Sequence, residues 1–189
     1  YFDVYSKIQI IRKFAFYGSA LEFVEIPPSV VKIEEYSFSN CERLEKVDFF
    51  VDSQLETIEK KAFQITNINT MIIPSKVTRI GKAAFSLSRM RQFGFEPGSN
   101  IRIIGPNAFY LTFIIGIIFP PTLIRICKNA FQDCHMVEGF EFKENSHLQY
   151  IDERAFHNCS VQLIENFPSS VKVIGNKAFC KCFNFDTLN

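Results

Sequence analysis

The sequence predicts an α/β repeat solenoid. Eight coils of 22–25 residues stack into an arc, each with one short parallel strand and little regular helix. Three observations predict it. An Ile-x-x-x-(Ala/Ser)-Phe signature recurs eight times, with Phe at 16, 38, 63, 85, 109, 131, 156 and 179. A second aliphatic residue stands three positions before each Ile: Ile8, Val30, Leu55, Val77, Ile101, Leu123, Leu148 and Val171. The composition holds 22 Phe and no Trp, as one repeated aromatic slot plus strand phenylalanines would produce.

Each coil is expected to consist of two legs. After the Phe and a polar stretch comes a short apolar run, such as Leu44-x-x-Val47-x-Phe49 or Val137-x-x-Phe140-x-Phe142. Its last two apolar positions alternate, as a half-buried strand requires. The other leg carries the signature, and periodicity alone does not distinguish strand from helical turn there. The residue before the Phe is Ala seven times and Ser once, at Ser37, which predicts a site too tight for a larger side chain. The Phe ring is expected to fill the coil interior.

The Phe-to-Phe spacings of 22, 25, 22, 24, 22, 25 and 23 alternate short and long, so the true unit is a pair of coils of 46–48 residues. Long connections carry Phe-x-x-x-Ser (Phe49 to Ser53, Phe95 to Ser99, Phe142 to Ser146). Short ones carry proline (Pro27-Pro28, Pro74, Pro120-Pro121, Pro168). Proline fixes φ and lacks a donor, which suits the end of a strand and the start of a bend. A single coil cannot bury its apolar side alone; stacking makes one continuous core, roughly 35–40 Å long at strand spacing.

The pattern aliphatic-x-x-Ile-x-x-x-Ala-Phe-x-x-Cys-x-x-Leu-x-x-Ile resembles the BspA-like leucine-rich repeats. Val30 to Val47 follows it through Cys41 and Leu44, as do Ala130 to Cys134 and Ala178 to Cys182. The resemblance spans essentially the whole chain. It implies a leucine-rich-repeat horseshoe and a cell-surface or secreted surface antigen that adheres to host or matrix proteins. Four units depart from the pattern, with Ser19, Thr66, Ser88 or Thr112 in place of Cys and one residue fewer after the Phe. Unit seven puts Gln162 and Glu165 where apolar residues belong. Local distortion is expected there, or a one-residue shift that buries Val161 and Ile164.

Function is expected on an extended surface. In a strand of this form the residues between the buried ones face the concave side. One column reads Phe23, Lys46, Thr70, Gln92, Gly116, Gly139, Ile164 and Thr187, and the next Glu25, Asp48, Ile72, Gly94, Ile118, Glu141 and Asn166. The candidate protein-binding residues are therefore Phe23, Glu25, Lys46, Asp48, Thr70, Ile72, Gln92, Ile118, Glu141 and Ile164. Ile72 and Ile118 would be exposed apolar residues, a feature that often marks a partner site. Gly116 and Gly139 would admit a partner's backbone closely.

No enzyme motif is present: no glycine-rich phosphate loop, no Gly-x-Ser-x-Gly and no converging carboxylate pair. No cofactor and no metal site are expected. Cys180-Lys181-Cys182 with His157 lacks the usual zinc spacing. Cys41, Cys134, Cys159 and Cys182 share the third place after the Phe and are expected as buried thiols, though Cys134–Cys159 or Cys159–Cys182 would be close enough for a bridge. Asn158-Cys159-Ser160 fits the glycosylation rule only formally.

With 21 basic and 20 acidic residues, the net charge of +1 does not suggest nucleic acid as a partner. The most apolar stretch, Phe113 to Phe119, is far short of a membrane span and stays in phase with the repeat. The chain opens and ends inside strands of the repeat, which reads as one domain, 1–189, cut from a longer array. The leading expectation is a non-enzymatic, cell-surface or secreted module whose partners are other proteins. An intracellular scaffold and a structural spacer remain the alternatives.

Overall fold

The computed structural model describes residues 2–182. In chain order its strands are β1 (Ile10–Ile11), β2 (Phe23–Ile26), β3 (Lys32–Ile33), β4 (Lys46–Phe49), β5 (Thr57–Ile58), β6 (Thr70–Ile73), β7 (Arg79–Ile80) and β8 (Gln92–Phe95). They continue as β9 (Ile103–Ile104), β10 (Gly116–Phe119), β11 (Arg125–Ile126), β12 (Gly139–Phe142), β13 (Tyr150–Ile151), β14 (Leu163–Glu165) and β15 (Val173–Ile174). Every pairing is parallel and joins one coil to the next, so the chain is a solenoid.

Two features refine the expected fold. The described residues contain no helix, and each signature leg is itself a strand of two residues ending at the signature Ile. The odd-numbered strands pair into one eight-stranded sheet, with Ile33, Ile58, Ile80, Ile104, Ile126 and Ile151 in register. A short strand wins over a helical turn because each leg has a parallel neighbour to satisfy its backbone groups. The longer strands form a second layer, divided into a four-stranded sheet (β2-β4-β6-β8) and a three-stranded sheet (β10-β12-β14). The ladder breaks between β8 and β10 while the short-strand sheet runs through unbroken.

The phenylalanine spine holds as expected. Rings 16, 38, 63, 85, 109, 131, 156 and 179 stack one on the next at centroid distances of 5.0, 5.1, 5.5, 5.4, 5.0, 5.3 and 5.1 Å. Their planes lie within 13° of parallel. Phe38, Phe63, Phe85, Phe109, Phe131 and Phe156 are completely buried, and one apolar cluster runs from Ile11 to Ala178. The Ala62, Ala84, Ala108, Ala130 and Ala155 side chains are buried beside them. Ser37 occupies the same slot, and its buried hydroxyl has no hydrogen-bond partner.

Between the short strand and the Phe the chain runs through consecutive tight turns. The third residue after each signature Ile takes positive φ, from Phe14 (60°) and Tyr36 (58°) to Arg154 (55°) and Lys177 (57°). The second residue after each Phe does so too: Gly18, Asn40, Ile65, Leu87, Leu111, Asp133, Asn158 and Lys181. Left-handed backbone is unfavourable for a branched residue such as Ile65. Alternation is what offsets that cost. The Lys61, Phe63 and Ile65 N–H groups donate to the Lys82, Ala84 and Ser86 carbonyls of the next coil at 2.9, 2.8 and 3.1 Å. The intervening Ala62 and Gln64 N–H groups instead donate within their own turn, to the Glu59 and Lys61 carbonyls. These five donors are all satisfied, and stacking locks the conformation.

The proline and serine turns alternate as anticipated. Val30, Val77, Leu123 and Val171 each donate N–H to the carbonyl of the proline three residues back, at 3.1–3.2 Å. At that edge the Ser29, Thr122 and Ser170 hydroxyls reach across to the Ser6, Ser99 and Ser146 carbonyls of the preceding coil, at 2.6, 2.9 and 2.8 Å.

Candidate functional site

The residues between the buried positions of the long strands form two exposed columns, built by the register Phe23↔Lys46, Thr70↔Gln92 and Gly116↔Gly139↔Leu163. The second column follows Glu25↔Asp48, Ile72↔Gly94 and Ile118↔Glu141↔Glu165. Nine of the ten candidate residues thus share this face. Lys46 Nζ pairs with Asp48 at 2.5 Å and lies over the half-buried Phe23 ring. Thr70 donates its hydroxyl to Gln92 Oε1 at 3.3 Å, and Lys143 Nζ pairs with Glu141 at 2.8 Å. Ile72 and Ile118 are each 49% exposed.

Ile164 corrects the tenth assignment. It is 6% exposed and packs in the core, with Val161, while Leu163 is 50% exposed and occupies the column position. The Phe140↔Ile164 register shows why: unit seven has shifted by one residue, so its apolar-x-x-apolar spacing from Val161 to Ile164 meets the core. A half-buried face penalises a one-residue slip of the apolar set toward solvent, and the strand adjusts accordingly. Leu163 and Glu165 therefore replace Ile164 and Asn166 on the surface. Thr187 lies outside the described residues.

What sequence reasoning did not locate is a groove of about 1090 Å3 on this face, at the break between β8 and β10. Its floor is Gly94, Gly116 and Gly139, and Ile118, Leu163 and Phe95 supply apolar walls. Arg91, Glu96, Lys143 and Glu165 stand on the lining. A Cβ at Gly116 would meet nothing closer than 3.5 Å, so this glycine leaves room over the floor and is not demanded by packing. At Gly139 a Cβ would lie 3.0 Å from the Leu163 carbonyl, so there glycine also serves the close approach of β14. The three glycines were visible in the columns; the broken ladder that opens the space beside them had no local sequence signal.

All six cysteines are free thiols. Cys41, Cys134, Cys159 and Cys182 donate to the Phe16, Phe109, Phe131 and Phe156 carbonyls of the preceding coil, at 2.9, 3.0, 2.9 and 3.0 Å. Thr66 and Thr112 in the same slot instead donate to their own coil's Phe carbonyl, at 3.1 and 2.9 Å. The shared role is to satisfy a carbonyl at the bend, which explains the exchange of Cys with Thr. The hydrogen bond with Cys134 and then burial push the Cys159 thiol up, and burial pushes Cys182 up to about 11. Neither is a thiolate nucleophile at neutral pH. Asn158 donates its amide to Asp133 Oδ1 at 2.7 Å. Among the described residues no three His, Cys, Asp or Glu side chains gather as a metal site, and no helix is long and apolar enough to cross a membrane.

A family model described as a BspA type leucine-rich repeat region, in 6 copies, matches residues 1–110 and 102–189. No curated protein matches the sequence. Among solved structures the chain is similar to a leucine-rich repeat protein from Eubacterium ventriosum: TM-score 0.73 and 19% identity, over 92% of this chain and 46% of that one. The pneumococcal vaccine antigen PcpA matches with TM-score 0.49 and 19% identity, over 79% of this chain and 51% of that one. A leucine-rich cell surface protein from Faecalibacterium prausnitzii matches with TM-score 0.42 and 22% identity, over 86% and 57%. The chain thus spans about half the length of these solved relatives. At such identity the Eubacterium likeness speaks to fold alone. Since the repeat model covers the sequence from end to end and its periodic phenylalanines stack as a solenoid core, this chain belongs to the BspA-type leucine-rich repeat family.

Proposed function

We propose that this chain is a non-enzymatic protein-binding module of a cell-surface or secreted protein, making adhesive contacts with host or matrix proteins through the outward face of its long strands. The observation that carries the reading is the apolar groove over Gly94, Gly116 and Gly139, walled by Ile118 and Leu163. Its floor lets a partner's backbone approach closely, and its walls offer half-exposed aliphatic side chains that a partner would bury. The family's repeat fold is generally a protein-interaction fold, which agrees with function on an extended face.

The test is binding to a panel of immobilised extracellular-matrix proteins, comparing the parent chain with Gly116→Leu, Ile118→Asp and Ile72→Asp. Gly116→Leu fills the groove from an exposed position and leaves the core alone. Loss of binding in Gly116→Leu and Ile118→Asp, with Ile72→Asp less affected, supports the groove. Unaltered binding in the first two removes this face from the function, and absence of binding to every matrix protein removes the adhesive reading.

A further inference from the structure

The turns that follow the short strands, none of which line the groove, carry an uneven share of the charge. Of the sixteen residues at the second and third positions after each signature Ile, seven are Lys or Arg and two are acidic, in a chain with 21 basic and 20 acidic residues. Both acidic residues are already engaged: Glu35 with Lys13 at 3.5 Å, and Glu153 with Lys128 at 2.8 Å and Arg154 at 3.8 Å. Nearby Glu34 and Glu59 are engaged with Arg12 and Lys32, the Lys32–Glu59 contact being 2.9 Å. That leaves four of the seven, Lys60, Lys61, Lys82 and Lys177, with no carboxylate in ion-pair range among the described residues, and the first three lie together on adjacent coils. The Lys61 N–H donates to the Lys82 carbonyl at 2.9 Å, which fixes the two backbones side by side.

The Lys60 and Lys61 ammonium groups sit on an aromatic platform. Tyr36 stacks on Phe14 of the preceding coil at 5.0 Å, and the Lys60 and Lys61 ammonium groups of the following coil lie 5.4 and 5.3 Å from its ring centroid. Phe14 and Tyr17, in edge contact at 5.5 Å, are both about half exposed, and the Asn40 amide donates to the Tyr17 hydroxyl at 2.6 Å. Exposed aromatic edges, a phenol and an amide beside unpaired cations recognise hydroxyl-rich rings that carry anionic groups. Because Tyr36 is covered on one side by Phe14 and on the other by lysines, it offers no open face for a nucleobase. We propose that this turn edge, from Phe14 to Lys82, binds an anionic polysaccharide, with Lys60, Lys61 and Lys82 pairing its sulfate or carboxylate groups. This site is separate from the groove and goes beyond the protein-binding reading.

The test uses a size-defined heparin oligosaccharide in about 0.15 M salt, where isolated surface charges are largely screened. Uncharged dextran and a single-stranded oligonucleotide of matched charge serve as comparisons. The Lys60→Gln/Lys61→Gln/Lys82→Gln variant should bind heparin at least about tenfold more weakly, with a shallower salt dependence. The equally charged control Lys7→Gln/Lys76→Gln/Lys172→Gln, at positions outside both the groove and this turn edge, should bind like the parent, and unchanged melting of both variants shows that they fold. No heparin binding by the parent, an equal loss in both triple variants, or binding of the oligonucleotide as tight as that of heparin would each overturn the proposal.

Discussion

Replacing neighbouring rings of the phenylalanine spine should reveal a coupling that fades after one coil. Phe109 is fully buried and stacks on Phe85 at 5.4 Å and on Phe131 at 5.0 Å, while Phe93 leans on it at 4.5 Å. Truncation to Ala removes all of this and should cost about 3–5 kcal/mol. That is enough to threaten folding of a marginally stable chain. Leu keeps much of the volume and deletes the ring–ring geometry, so it is the better probe. A stacked pair is worth about 0.5–1.5 kcal/mol beyond its buried area. The Phe85→Leu/Phe109→Leu double-mutant cycle should therefore return a coupling of about that size. Phe63 and Phe109 are separated by Phe85 and lie about 11 Å apart, where effects add within about 0.5 kcal/mol. Guanidinium denaturation with unchanged m-values reads both cycles. Equal coupling in the two cycles, or none in the first, would refute a spine held by nearest-neighbour stacking.

Ser37→Ala should stabilise the chain by about 1 kcal/mol in the same assay, because the buried hydroxyl has no partner and the other coils hold Ala in that slot. Ile164→Ala should cost about 2–4 kcal/mol and Leu163→Ala under about 1 kcal/mol; a cost under about 1 kcal/mol for both would show that unit seven keeps the unshifted register. Stability should fall as pH rises from about 9 toward 11, since the unfolded chain releases the Cys182 proton while the folded chain, with its pKa pushed up to about 11, still holds it. Cys182→Ser should flatten that part of a denaturation-versus-pH profile.

The repeat was legible because every coil solves the same packing problem. Ile every coil, Ala or Ser next, then Phe is a pattern that survives only if those positions share one core, and the stacked rings bear this out. The exposed columns were legible for the same reason wherever the strand pattern is regular, from Phe23 to Glu141. The shift in unit seven lay on the edge of legibility. Val161 and Ile164 carry the correct spacing, but choosing their register over that of Gln162 and Glu165 needs the neighbouring strand. The left-handed residues were not legible at all. Ile65, Leu87 and Leu111 hold conformations their own side chains disfavour, and only the carbonyls of the next coil make them pay off.

What the amino-acid order determined alone is the period, the residues that face inward and the parallel stacking, since apolar spacing is a local record of burial. What the tertiary structure decided is the strand character of the signature leg, the break between β8 and β10 with the groove beside it, and, among the described residues, the isolation of Lys60, Lys61 and Lys82 from carboxylates. Those depend on which backbone and which charge from another coil arrives within hydrogen-bonding or ion-pairing distance, and residues some 22–25 positions apart in the chain acquire that relation only when the coils stack.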